Sequence, residues 1–182
     1  MLDEIQTGMG RTGQLFAHWH DGVVPDVVTL AKALGGGFPI GAMLVGARAA
    51  EAMQFGDHGT TFGGNPLAAA VARTALRKLA SADIAANVVR QEAALREGLA
   101  AINAGLDVFE TVRGRGLMLG AVLRPAYAER AGEILDLAAS EGLLLLQAGG
   151  GVLRFVPPLN ITDDEVAEGL RRLRAAVDAL PR

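Results

Sequence analysis

The stretch Pro25-Asp26-Val27-Val28-Thr29-Leu30-Ala31-Lys32-Ala33-Leu34-Gly35-Gly36-Gly37 decides the fold of the first third of the chain. Pro25-Asp26 marks a boundary, residues 27–30 are a short apolar run suited to a buried strand, and three glycines break the chain beyond it. Lys32 falls just past the strand's end. Upstream, Met1-Leu2 leads into Asp3-Glu4 and the turn Gly8-Met9-Gly10-Arg11-Thr12-Gly13, so the chain opens like the last residues of another buried strand. Downstream, residues 40–45 predict a further strand closed by Gly46.

Farther along, Asn65-Pro66 starts a helix, with asparagine as N-cap and proline at the first helical position, and the helix runs to about residue 80. Residues 81–104 carry Ile84, Val88, Leu95, Leu99 and Ile102 as an approximate helical stripe. Short strands are predicted over 108–112 and 116–123, a helix over about 128–140, and strands over 143–146 and 152–156. Thr162-Asp163-Asp164-Glu165 is a capping box, followed by the stripe Val166, Leu170, Leu173 and Val177. The pattern predicts part of an α/β layer over residues 1–82 and a separate small α+β unit over 83–182.

Composition narrows the function. The 182 residues are 51% hydrophobic with a net charge of −3, and no Lys/Arg-rich stripe offers a polyanion footprint. The absence of cysteine removes disulfides, thiolate metal sites and thiol nucleophiles and fits a reducing cytosol. No apolar run approaches the ~18 residues of a membrane span, so a cytoplasmic protein is expected.

Of 17 basic residues only Lys32 and Lys78 are lysines. An arginine cannot be deprotonated in a protein, whereas a buried lysine amine can be, which frees it for Schiff-base chemistry. Snorkelling from a helix end is the other reading of Lys32 and the main one of Lys78. Asp3 ends a strand, where open α/β sheets bind ligands, and a buried carboxylate there can hold a proton on a pyridine nitrogen; a turn-forming aspartate is the plainer reading. Thr60-Thr61 offers hydroxyls in a glycine-rich loop, and Arg154, inside an apolar strand, calls for an anion. The Gly8 to Gly13 spacing imitates a dinucleotide loop, but no helical periodicity follows it. His18, His20 and His58 lack metal-ligand spacing, so packing or exposure is expected and no metal site is assigned.

Asp3 to Gly13 and Pro25 to Ala42 together resemble the signature of class III pyridoxal-phosphate aminotransferases of fold type I. The blocks Gly59-Thr60-Thr61-Phe62-Gly63-Gly64-Asn65-Pro66-Leu67, Arg113-Gly114-Arg115-Gly116-Leu117-Met118-Leu119-Gly120 and Leu153-Arg154-Phe155-Val156-Pro157-Pro158-Leu159 are similar to the same family in the same order. Within it, the wording around Met9, Phe16 and Gly37-Phe38-Pro39-Ile40 is most similar to the acetylornithine aminotransferase branch.

The resemblance implies the C-terminal part of the fold type I large domain over 1–82, then a small α+β C-terminal domain over 83–182. It implies pyridoxal 5'-phosphate as cofactor. Lys32 would bond it as a Schiff base and shuttle the proton, Asp3 would pair with the pyridinium nitrogen, and Gln6 would bond the phenolic oxygen. Thr61 would contact the phosphate held by a partner subunit in a homodimer with shared sites, and Arg154 would clamp the substrate α-carboxylate. The implied reaction moves an amino group from N-acetylornithine to 2-oxoglutarate in arginine biosynthesis, with ornithine, succinylornithine or 4-aminobutyrate as alternative donors. Family members are considerably longer, with the further residues lying before Asp3, so a C-terminal fragment is expected, inactive in isolation. The alternative is a non-catalytic remnant retaining only dimerisation or weak cofactor binding.

Overall fold

The computed structural model describes residues 1–180 and divides the chain into two compact units, Met1–Ala86 and the residues from Asn87 onward. In the first unit, β1 (Leu2–Asp3), β2 (Val27–Leu30) and β3 (Ala42–Val45) form a sheet in the order β1-β2-β3. β1 runs parallel to β2, with Asp3 opposite Thr29, and β3 returns antiparallel, with Ala42 opposite Leu30. Alternation along β2 sends Val28 and Leu30 into a core shared with Met9, Leu34 and Ala72, around which Phe16, Ile40 and Leu79 pack.

The turn at residues 8–13 leads to a 3-10 turn at Ala17–Asp21 and opens no α-helix, in line with the missing periodicity. After β3 come the single turn α1 (Ala47–Ala50) and the helix α2 (Pro66–Leu79). Asn65 caps α2: its side-chain oxygen accepts from the Ala68 amide at 2.9 Å, and Pro66 occupies a position whose N–H would have no helical partner.

The second unit takes most of α3 (Ala82–Leu106), which buries Val88, Leu95, Leu99 and Ile102 from the predicted stripe. It also buries Gln91, whose amide nitrogen bonds Asp163. Next come β4 (Phe109–Arg115), β5 (Met118–Leu123), α4 (Pro125–Ala128), α5 (Ala131–Ser140), β6 (Leu146–Gln147), β7 (Val152–Phe155) and α6 (Asp163–Asp178). The strands form an antiparallel sheet in the order β4-β5-β7-β6. Along β5, Leu119, Ala121 and Leu123 are buried while Met118, Gly120 and Val122 are half-buried, so one face belongs to the core and the other stays partly open.

Two elements depart from the sequence reading. Only Leu146 of the apolar run 143–146 joins a strand; Leu144 is 89% exposed, and the run walls an apolar cavity of about 410 Å³ with Phe155, Val166 and Leu173. Its hydrophobicity serves a cavity wall rather than a ladder. The helix predicted over 128–140 is split, because Pro125 starts its own turn and Arg130 stands outside helical geometry as N-cap of α5. Among the described residues no helix is long and apolar enough to cross a membrane.

α6 begins with the predicted capping box: Thr162 Oγ1 accepts from the Glu165 amide at 3.3 Å, and the Glu165 carboxylate accepts from the Thr162 amide at 2.8 Å. One turn on, Glu168 accepts from Arg171 Nε and Arg172 Nε, each at 2.7 Å, and these bonds pull its carboxyl down to about 2 from an ordinary 4.5. Because the folded value lies below the unfolded one, the stabilisation is complete above pH 4.5 and disappears as pH falls toward about 2. Replacing Glu168 by Gln is therefore expected to flatten the loss of urea resistance across that window, and less so in high salt because the group is exposed. An unchanged acid slope contradicts this assignment.

Candidate active site

Two parallel strand ends build the site of the first unit. Asp3 is the last residue of β1, and the Glu4 amide still donates to Thr29 O of β2 at 3.0 Å. Asp3 then turns the chain: its Oδ1 accepts from the Ile5 amide at 2.9 Å, an aspartate turn that leaves the exposed Gln6 beside the strand end. The Gly8 amide donates to Glu4 O at 2.9 Å, and a side chain at Gly8 would stand only 2.8 Å from that oxygen, so glycine is required for this tight return.

Lys32 lies two residues beyond β2, at the start of a 3-10 turn (Lys32–Leu34), with φ +47°. An unbranched L residue at positive φ is strained, and such strain concentrates at functional positions. The conformation is over-determined: Leu30 and Leu34 are buried on either side, the Leu34 amide donates to Ala31 O at 3.0 Å, and the Gly35 amide donates to Lys32 O at 3.1 Å. Gly35 has no room for a side chain, because an added Cβ would lie 2.0 Å from Phe38 O. The lysine is exposed there, just past the carboxyl end of β2.

Asp3, Gln6 and Lys32 thus share the carboxyl edge of β1 and β2. The Schiff-base reading of Lys32 and the pyridinium reading of Asp3 each invoke a buried group, whereas both side chains are exposed in this structure. Thr61 is an exposed residue of the loop before α2, and it is its neighbour Thr60 that lines a cleft of about 370 Å³ with Ile40, Gly41 and Asn65. Arg154 lies in β7 of the second unit, half-buried, opposite Gly120 of β5 and Leu146 of β6.

One polar group went unnoticed in the sequence. Glu4 is only 3% exposed, and its carboxylate accepts from the Ala17 amide at 2.7 Å, the His18 amide at 2.9 Å and His18 Nδ1 at 2.6 Å. A carboxylate is acceptor-only, so Nδ1 carries the shared proton. His20 Nε2 bonds Thr12 O at 2.9 Å. The two histidines brace the turn through Glu4 and Thr12; among the described residues no three His, Asp or Glu side chains cluster as a metal site. Nothing in the local pattern marks Glu4, because its partners lie more than a dozen residues away.

Comparison with known proteins gives the family and the fold. Residues 1–177 match the model of the aminotransferase class-III family. The chain is 74% identical over 179 residues to an acetylornithine aminotransferase of Xanthomonas campestris, covering 98% of this chain and 44% of that protein. The crystal structure of N-acetylornithine aminotransferase from Stenotrophomonas maltophilia superposes with a TM-score of 0.89 at 69% identity, over 98% of this chain and 46% of that one. An ornithine aminotransferase from Toxoplasma gondii, whose active site is described as partially occupied by PLP, gives a TM-score of 0.89 at 37% identity, over 98% and 42%. The chain spans less than half the length of these relatives. With residues 1–177 matching the family model and a mixed α/β fold that these enzymes share, the chain belongs to the aminotransferase class-III family.

Proposed function

We propose that this chain carries the lysine-bearing part of a pyridoxal-phosphate aminotransferase site, moving an amino group from N-acetylornithine, or a similar ω-amino donor, to 2-oxoglutarate. The observation that carries the reading is Lys32, held at φ +47° at the end of β2 with Asp3 at the end of the parallel neighbour β1. The donor set suits the cofactor: a carboxylate for a pyridine nitrogen, an amide for a phenolic oxygen, and an amine for an aldehyde, all on one edge. The relatives' names and the Toxoplasma gondii enzyme's PLP support it further.

When bound, pyridoxal phosphate supplies an electron sink for the carbon that bears the amine. The chain supplies the rest. Lys32 Nζ would hold the cofactor at its aldehyde, whose oxygen leaves as water, and would carry the proton taken from the amine-bearing carbon, a task that arginine cannot perform. The Asp3 carboxylate would keep a proton at the ring nitrogen, and the Gln6 amide would donate to the phenolic oxygen. Thr61 donates to the phosphate in a homodimer with shared sites, and the Arg154 guanidinium grips a carboxylate through paired N–H donors. Donor and acceptor each present a carboxylate, so one arginine serves both halves of a ping-pong exchange. The setting is cytoplasmic arginine biosynthesis.

A donor panel on the intact protein with pyridoxal phosphate and 2-oxoglutarate tests this, read as glutamate formed. N-acetylornithine is expected to give the highest kcat/KM. Ornithine, succinylornithine or 4-aminobutyrate ranking above it overturns the donor assignment, and no glutamate from any donor favours a non-catalytic remnant.

A further inference from the structure

Asp3 is an exposed carboxylate at the end of a strand only two residues long, and the strand itself does little to fix it. β1 contributes two register pairs, Leu2 with Val28 and Asp3 with Thr29, and continues through the Glu4 amide on Thr29 O at 3.0 Å. So short a ladder opens easily, because few backbone bonds and few apolar contacts oppose it. A carboxylate that must meet one N–H of a ligand ring needs to be held within about 0.5 Å and roughly 10–20° of its working geometry.

The anchor lies one residue on. Successive side chains of an extended chain point to opposite faces, so an outward Asp3 sends Glu4 inward, where it is 3% exposed. The two backbone amides that its carboxylate accepts, from Ala17 and His18, are the first of the Ala17–Asp21 turn. Phe16, the N-cap of that turn, offers no side-chain acceptor, so Glu4 caps it from 13 residues away, and His18 Nδ1 adds a third bond. Phe16 in turn packs on the core of Val28, Leu30 and Leu34, the last two of which flank Lys32. The Glu4 backbone is pinned as well: its carbonyl accepts from the Gly8 amide at 2.9 Å. A Cβ at Gly8 would stand 3.1 Å from Glu4 Oε2, so the returning chain closes over the carboxylate. Asp3 is thereby bonded to a residue fixed at its amide, its carbonyl and its side chain. Its own Oδ1 accepts from the Ile5 amide, and a carboxylate keeps a second oxygen for a ligand N–H.

We propose that Glu4 is a positioning residue for the cofactor site, holding the Asp3 carboxylate in register with the ring nitrogen by tying the end of β1 to the Ala17–Asp21 turn. The inference rests on the reading of Asp3 as the partner of that nitrogen. It gives Asp3 and Lys32 a common reference, since the core that flanks the lysine also supports the turn that Glu4 caps.

The test titrates the intact protein, freed of cofactor, with pyridoxal phosphate, read as the dissociation constant and the absorption maximum of the bound cofactor. Asp3→Asn keeps an acceptor for the Ile5 amide but loses the charge, and is expected to weaken binding about tenfold and to shift the band. Glu4→Gln should weaken binding about threefold and shift the band in the same direction. Glu4→Asp keeps the charge but falls one methylene short of the turn, and should weaken binding as well. In the double variant Asp3→Asn/Glu4→Gln the losses should not add, and affinity should match Asp3→Asn alone. Leu79→Ala, a core truncation at the end of α2, is expected to lower the urea midpoint without moving either readout. Additive losses in the double variant overturn the positioning role, as does parent-like binding by Glu4→Asp or Glu4→Gln beside a weakened Asp3→Asn. Parent-like binding by Asp3→Asn overturns instead the pyridine-nitrogen reading on which the inference rests. Circular dichroism confirms which variants are folded, and Glu4→Asp replaces Glu4→Gln in the double variant if the latter is not.

Discussion

Lys32→Ala is expected to abolish transamination by the intact protein, by about four orders of magnitude or more, because under the proposed mechanism one amine would serve both as attachment point and as proton carrier. The cofactor's absorption band near the visible edge should vanish with it. Lys32→Arg should not rescue either property, since a guanidinium stays protonated. The backbone offers a sharper control. Lys32 occupies φ +47°, where a side chain is strained by roughly 1 kcal/mol and glycine is not. Lys32→Gly should therefore match or exceed the parent in urea while being as inactive as Lys32→Ala. Activity in Lys32→Ala within tenfold of the parent would falsify the assignment; a fall in stability for Lys32→Gly would show instead that the lysine is there for the fold.

Much of this was legible because the signals are local. Val27–Leu30 reads as a strand from four residues, Asn65-Pro66 and Thr162 to Glu165 announce helix starts through caps that act within three residues, and the scarcity of lysine isolates Lys32. What escaped depends on partners remote in sequence. Gln91 stands within an apolar stripe and is buried because Asp163 of α6 receives its amide. Arg154 comes to lie opposite Gly120 only through the pairing of β5 with β7, which no short window encodes. The run 143–146 has strand composition, but pairing is settled by which edge is free, and β7 accepts only Leu146 and Gln147.

Glu4→Ala should be the most destabilising single change in the first unit. The carboxylate is nearly inaccessible and receives three donors within 2.6–2.9 Å, two of them backbone amides at the start of the Ala17–Asp21 turn. Removing it leaves those part-buried donors without their acceptor, at roughly 1–3 kcal/mol for each unsatisfied group, so a total of about 3–9 kcal/mol is expected. Glu4→Gln keeps the shape but turns an N–H toward one of the donors, so it should fall between parent and Glu4→Ala. His18→Phe removes a single donor, preserves the contacts with Phe16 and Trp19, and should cost least. Urea midpoints at constant m give this order directly. Equal losses for Glu4→Ala and His18→Phe would mean that the His18 ring, rather than the backbone amides, holds the turn. A loss under about 0.5 kcal/mol for Glu4→Ala would mean that water replaces the carboxylate at little cost. In the expected order, the acid next to Asp3 anchors the strand end from inside, and the exposed carboxylate stays fixed because its buried neighbour cannot move.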